Sequence, residues 1–409
     1  MTTRGSFLAS VLFVGCANTV GGSPGVDAAA RDASLDDAPP VDAVLLDASP
    51  RDPWCATLPC LQHPILRSQG DGMWLLFPDG RTVHWGSGQG AVLPAAPRPS
   101  PGPLLSPDVL DLQTQQHHAC ALLANGGRVV CWGDGFRGQL GNRTLDNSSL
   151  PVEVVSLRGA TSIALSIDSS WALRGDELSF WGYDPRVGAL PMVSAPRARF
   201  TITGASELIT SLGGGAMGAI TRDGGAMSWG GYLRLDTGAG MFGVRDAPTP
   251  IAGLRNVTSL SVDGGASCAV ADPGRTAWCW GERYGLFDAV AADPPGFQDT
   301  PVAVPGAGEL VQVVVGQRAA CGVTTTRGVR CWGLNESGVL GIGSADPGFH
   351  PAGPLVDLPP VREIAFGSQG VCALTMSDEV YCWGSALVLG QGSDVDRPSP
   401  ILTYPGTTP

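Results

Sequence analysis

Eleven cysteines, five histidines and one glycine-rich turn are where this 409-residue chain offers chemistry. Ten of the cysteines pair by position. Cys120 and Cys131, Cys268 and Cys279, Cys321 and Cys331, and Cys372 and Cys382 stand 10 or 11 residues apart, and Cys55 and Cys60 form a closer fifth pair. The midpoints of the wider pairs fall on turn residues, Asn125-Gly126 in one and Pro273-Gly274 in another. Asn-Gly is a strong hairpin signal. Residues equidistant from such a turn face each other across two strands, at a separation that a disulfide spans. Structural zinc sites use closely spaced C-x2-C pairs instead. The expectation is five disulfides between sequence neighbours, each worth about 2–3 kcal/mol in chain-entropy models.

The other reactive patterns are weaker. His117 and His118 are adjacent, but His63, His84 and His350 are scattered, so no metal set forms in the sequence. Residues 133–138 match G-x-G-x-x-G after a strand. A dinucleotide site also needs a following helix and an acidic residue about 20 positions on; here QLGNRTLDNSSLP follows, which is turn-rich. The chain has no lysine, which excludes Schiff-base chemistry and a P-loop. Its net charge of −12 argues against a nucleic-acid backbone as partner, because that binding is driven by clustered Lys and Arg. No serine, cysteine or metalloprotease catalytic motif is present. The reading is of a non-enzyme with no catalytic residue, no metal and no cofactor. The enzymatic alternative is a hydrolase acting on carbohydrate, with carboxylates on loops or in a channel.

The elements that position these residues repeat. Trp-Gly recurs at Trp85, Trp132, Trp181, Trp229, Trp280, Trp332 and Trp383, at intervals of 47 to 52 residues. A period of this size means a solenoid or a propeller. Each Trp-Gly follows a matching segment (MWLLF, CALLA, WALRG, GAITR, CAVAD, CGVTT, CALTM), and most of those follow an apolar-alternating one such as VQVVV or VREIAF. A Pro-led strand comes next in most units, at residues 151, 191, 250, 301 and 400. Four strands per unit and seven units predict an all-β, seven-bladed propeller. The C-terminal strand around residues 400–402 is expected to complete the first blade and close the ring. The Pro-rich segment 93–107 predicts an irregular loop or a short edge strand. Three units lose both hairpin cysteines together: Trp74 with His84, Trp171 with Phe180, and Gly218 with Ser228. Joint loss is the behaviour of bonded partners.

Loops after each Trp-Gly vary most between units. They carry Phe136, Arg137, Tyr183, Arg186, Tyr232, Arg234, Phe242, Arg283, Tyr284, Phe297 and Phe349. Corresponding loops of a propeller emerge on one face, and aromatic and Arg side chains dominate protein interfaces. These residues are the predicted binding face.

The N-terminal segment has a different character. Met1–Arg4 is short and positive, and the apolar run from Phe7 to Val14 is too short to span a bilayer. Together they predict a secretory signal. The run ends at Gly15-Cys16, which resembles the lipobox of bacterial lipoproteins, although Phe13 and Val14 depart from its usual pattern. The alternative is an ordinary cleaved signal that removes Cys16. Residues 17–53 hold seven Asp against Arg31 and Arg51 among Ala and Pro, and read as an extended tether. The expected organisation is a signal and lipidated Cys16 (1–16), a tether (17–53) and the propeller (54–409). It places the protein outside the cytoplasm of a bacterium, on the cell envelope as an outer-membrane or cell-surface lipoprotein. An exported chain also favours disulfides.

The stretch H-x-C-A-L-x-x-x-G-x-V-x-C-W-G-x-G-x-x-G-Q-L-G at 118–141 closely resembles the repeat of the regulator of chromosome condensation family. The resemblance covers about residues 60–404 and is strongest in the second, sixth and seventh units. It implies the same seven-bladed propeller. Family members include a nucleotide-exchange factor for a nuclear GTPase, a plant ultraviolet-B photoreceptor and a bacterial β-lactamase inhibitor. A signal and disulfides contradict the first, and the Gly-Trp-Arg-His-Thr motif of the second is absent. The third is nearest in kind. The expected function is a monomeric, lipid-anchored propeller that binds a protein or a cell-surface polymer; a structural envelope protein is the third reading.

Overall fold

The structure, a computed structural model, describes residues 63–69, 71–87, 98–99, 108–115, 117–183, 192–210, 216–232, 242–263, 265–282, 286, 297–316, 318–353, 356–390 and 395–406. The predicted signal and tether, with Cys16, Cys55 and Cys60, lie outside them.

Every Trp-Gly unit folds as one antiparallel sheet of four strands paired in chain order, and seven such sheets form. Blade two shows why. Its strands are Val109–Thr114, His118–Leu123, Arg128–Gly133 and Ser148–Glu153. The second, HACALL, is buried at all six positions, as are its counterparts Ala216–Thr221, Ala266–Ala271, Ala319–Thr324 and Gly370–Thr375. Blades stack face to face, so a middle strand is covered on both sides and loses the alternation of a half-buried strand. The fourth strand of blade two lies at the rim and has no fully buried residue.

The first strands line the axis. Ile65–Gln69, Val109–Thr114, Ser162–Leu165, Ala205–Thr210, Ser259–Val262, Leu310–Val315 and Val361–Phe366 each touch the next, and the last touches the first, so the ring is closed. The apolar core sits between blades. Cys120, Val129 and Cys131 of blade two pack with Ile163, Ala172 and Trp181 of blade three; Leu75, Val83 and Trp85 of blade one pack with Leu374, Cys382 and Leu389 of blade seven.

Closure differs from the expected mode. The C-terminal strand, Arg397–Tyr404, does not complete blade one. It pairs with Val380–Gly384 in blade seven, with Cys382 opposite Ile401. The connection of residues 385–396 lets it pair with its sequence neighbour. Blade one has its own fourth strand, the two-residue Arg98–Pro99 opposite Val83 and His84, so the Pro-rich segment does supply a short edge strand. The rim strands of blades two, four, five and seven begin earlier than the Pro-led reading placed them, whereas that of blade three begins later, at Val193. In blade four the strand Phe242–Pro250 ends at its proline.

The glycine of Trp-Gly is a steric requirement. Gly133 has φ 106°, and a Cβ there would lie 2.5 Å from the His117 carbonyl oxygen. The third strand can end beside the first-to-second turn only without a side chain.

Candidate functional site

The four wider cysteine pairs are bonded, each between directly opposed residues of the second and third strands, with Cα separations of 4.0 or 4.1 Å. Each cystine packs beneath the Trp-Gly tryptophan of the following blade: Trp181 over blade two, Trp332 over blade five, Trp383 over blade six and Trp85 over blade seven. Where cysteines are lost, the same opposed slots hold other fillings. Trp74 and His84 stack at 5.0 Å, and Trp171 meets Phe180 at 4.7 Å. At Gly218, opposite Ser228, the vacated space is taken by Leu260 of the next blade. The slot is an interblade packing position.

Three of the Trp-Gly tryptophans also donate. Trp181 Nε1 bonds the Gln139 carbonyl at 2.9 Å, Trp383 the Val339 carbonyl at 2.7 Å, and Trp85 the Val388 carbonyl at 3.1 Å. Each acceptor belongs to the third-to-fourth loop of the preceding blade. Gly141, Gly341 and Gly390 let that loop lie on the indole; at Gly141, φ is 67° and a Cβ would be 2.8 Å from Trp181 Nε1. The glycine-rich turn is therefore consumed in packing. Its amides are spent as well: Gly135 N donates to Asn147 Oδ1 (2.9 Å), Arg137 N to Gln139 Oε1 (2.9 Å) and Gly138 N to the Gly135 carbonyl (2.7 Å). No cradle for a phosphate remains there.

The two adjacent histidines point to different places. His117 Nδ1 is 3.5 Å from Asp134 Oδ2 near the surface. His118 is buried, with Nε2 2.8 Å from Ser170 Oγ in blade three, and Ser170 in turn donates to the Gln139 carbonyl at 2.9 Å. Burial, and then the neighbouring His117, pushes the His118 pKa down to about 3. This Ser-His contact is buried and joins blades two and three. Among the described residues no group of three or more His, Cys, Asp or Glu is placed to hold a metal ion.

On the face where third strands end, the structure brings together Phe136, Arg137 and Tyr183. The Arg137 guanidinium lies 5.5 Å from the Phe136 ring centre and 4.9 Å from that of Tyr183, with Nε 3.9 Å from Asp168 Oδ2. Phe136 is 46% exposed. The Tyr183 backbone is fixed by a 2.8 Å bond from its N–H to the Asp168 carbonyl. Asp168 was not singled out in the sequence; its place in a first-to-second turn, beside the neighbouring loop, is a tertiary fact. Four further residues are corrected from loop to strand: Tyr232 and Phe242 pair at the base of their loop, Phe297 opens the strand Phe297–Ala303, and Phe349 lies in Phe349–His350, opposite Leu334. Arg186, Arg234, Arg283 and Tyr284 lie outside the described residues.

A second polar cluster lies on the axis. Arg67 NH2 is 2.7 Å from Asp111 Oδ1, and Arg67 NH1 is 3.6 Å from Glu363 Oε2. Glu363 Oε1 also accepts the Leu66 N–H. Burial opposes the Arg67 charge, but Asp111 and Glu363 outweigh it and hold the guanidinium above its ordinary pKa. Burial raises the carboxyl pKa of Glu207 and of Glu363. Beside this cluster is a cavity of about 190 Å3 lined by Gln113, Thr114, Thr210, Ser261 and Gln312, among others. The sequence signal for these residues was a polar side chain at one fixed place in most first strands.

Comparison with known proteins agrees with this geometry. The family model for the regulator of chromosome condensation (RCC1) repeat matches residues 126–173, and a second model of the same repeat matches residues 310–339. The ultraviolet-B receptor UVR8 of Arabidopsis thaliana is 25% identical over 311 residues, covering 72% of this chain and 69% of the receptor. The E3 ubiquitin-protein ligase HERC2 of Homo sapiens is 28% identical over 308 residues, covering 68% of this chain, which spans only 6% of HERC2. Among solved structures, Prp20p of Saccharomyces cerevisiae, studied for binding to Gsp1p and histones, superposes with a TM-score of 0.66 at 16% identity, covering 85% of this chain and 87% of that one. Yeast RCC1 (Prp20) bound to Kap60 gives 0.64 at 16% identity, covering 79% and 83%. RCC1 repeats thus match at residues 126–173 and 310–339, and the seven four-stranded sheets share the propeller fold of the yeast structures.

Proposed function

We propose that this propeller is an exported, lipid-anchored binding protein, not an enzyme, and that it holds another protein through the variable loops of one face. The observation that carries this reading is the Phe136–Arg137–Tyr183 stack. The repeat's shared residues are spent between blades, whereas this cluster is built of non-shared residues and keeps Phe136 exposed. Stacked aromatic and Arg side chains are typical interface anchors. Similar propellers support a protein as partner, since yeast RCC1 (Prp20) is solved bound to Kap60. The hydrolase reading finds less support. It needs two carboxyl groups about 5–9.5 Å apart on one cleft, and Asp111 and Glu363 are both engaged by Arg67.

The test is retention of envelope proteins by the full chain and by the double variant Phe136→Ala, Arg137→Ala. A partner held by the native protein and lost by the variant, at unchanged thermal stability, is the expected result. Equal retention by both would overturn the assignment of the face. The anchor has its own test. Cys16→Ala should move the protein from the membrane fraction to the soluble one; unchanged fractionation would remove the lipid from the proposal.

A further inference from the structure

The ring has one junction that no chain connection crosses, between blades seven and one. An exchanged strand would tie such a seam, and here the C-terminal strand stays in blade seven. Among the described residues no backbone–backbone hydrogen bond of loops or turns joins blade one to blade seven. What crosses the seam is apolar packing, the Trp85 bond to the Val388 carbonyl, the Phe77–Tyr404 contact at 5.9 Å, and Glu363.

Glu363 occupies a repeated slot. Pairing with the second strand aligns Ile65, Asp111, Ser162, Glu207, Ser259, Gln312 and Glu363 around the axis. From this slot Ser162, Ser259, Gln312 and Glu363 each reach the inner strand of the next blade, whose edge amides lack a strand partner, whereas Asp111 accepts its own Leu112 N–H and turns back to Arg67 of blade one. Ser162 Oγ accepts Leu208 N–H at 2.9 Å, Ser259 Oγ accepts Val313 N–H at 3.1 Å, and Gln312 both accepts Ile364 N–H at 2.9 Å and donates to its carbonyl at 3.0 Å. Each acceptor caps the residue just after the next blade's slot. Glu363 does the same to Leu66 across the seam, but with a carboxylate. A counter-charge answers it: Arg67 meets Glu363 on one side and Asp111, the slot residue of blade two, on the other, linking blades seven, one and two. The neutral caps serve junctions that the chain already ties. The charged one serves the junction that it does not.

We propose that Glu363 and Arg67 are the clasp of the ring, replacing the missing strand exchange, and that the seam between blades seven and one is where the propeller opens first. The closing carboxylate lies on the last inner strand and the answering guanidinium on the first, so opening separates them without breaking any sheet.

Amide hydrogen exchange read by mass spectrometry on the full chain tests this. In the native protein, peptides over Ile65–Gln69 and Val361–Phe366 should exchange faster than that over the inner strand Leu310–Val315. Glu363→Ala and Arg67→Met should accelerate the two seam strands by about tenfold or more, while Gln312→Ala, the neutral cap one junction earlier, leaves blade one unchanged. Glu363→Gln keeps the cap and loses the charge, and should fall between. Uniform protection of all inner strands in the native protein would overturn the proposal. So would a Glu363→Gln profile that loosens every blade equally, even if the harsher variants fail to fold.

Discussion

Burial, more than any other factor, decides what His118 does. In an unfolded chain an imidazole takes its proton near pH 6.5; in the fold it does so only near 3, because the site between blades two and three excludes the charge. The folded state therefore binds fewer protons across this window. Stability is full above about pH 6.5 and is lost as pH falls toward about 3. Glu207 and Glu363 have the opposite sign. Their carboxyls titrate above the ordinary value, so they favour the fold at low pH and oppose it as pH rises through their raised pKa. Acid lability should then trace to the histidine. In urea denaturation, His118→Gln should be less stable than the native chain by about 1–3 kcal/mol at pH 7, where it loses a buried hydrogen bond. At pH 4 the gap should shrink or invert. A gap independent of pH would show that His118 is not the acid-sensitive group. That the histidine opens a strand was readable from its repeat slot. Its bond to Ser170, 52 residues away, was not, because one strand's sequence carries no record of the blade stacked on it.

The hairpin is the element that the sequence describes best. Its two cysteines, its turn and its Trp-Gly are all local, and the register follows from residues equidistant from the turn. Joint loss of the cysteines was readable too, but its meaning was not. The slot is filled by Trp171 with Phe180, or by Trp74 with His84, because what it must supply is volume under the next blade's tryptophan. Loop boundaries were the weak point: Tyr232, Phe242, Phe297 and Phe349 extend strands that their own sequence punctuates with Gly and Pro, since the ladder of the neighbouring strand overrides local preference. The cystine has two roles that an experiment can separate. Replacing both Cys372 and Cys382 by Ala removes a constraint on a short loop, about 2–3 kcal/mol, and also leaves space beside Trp85. The double variant should be destabilised by more than reduction of that bridge alone, measured by denaturation with and without reductant. Equal losses would mean that packing adds nothing.

At the scale of the molecule, seven units of four strands were legible because a period near 50 residues admits few architectures. The closure was misread for a physical reason. A Pro-led strand at the chain end fits the rim of blade one and the rim of blade seven equally well by pattern, and only the short connection from Val380–Gly384 selects the latter. The two modes predict different damage from one change. In an antiparallel pair, alternate residues turn their N–H toward the partner, so Ile401→Pro with Leu402→Pro removes at least one ladder donor whichever way the strand faces. If the strand belongs to blade seven, amide protection should fall in Val380–Gly384 and persist in Thr82–Ser87 of blade one. If it were exchanged, Thr82–Ser87 would lose protection instead, because that is the strand that a rim strand of blade one would cover. The same comparison bears on the clasp: a ring whose ends share no strand must keep blade one intact when the C-terminal strand is broken, with Arg67 and Glu363 still in place to hold it.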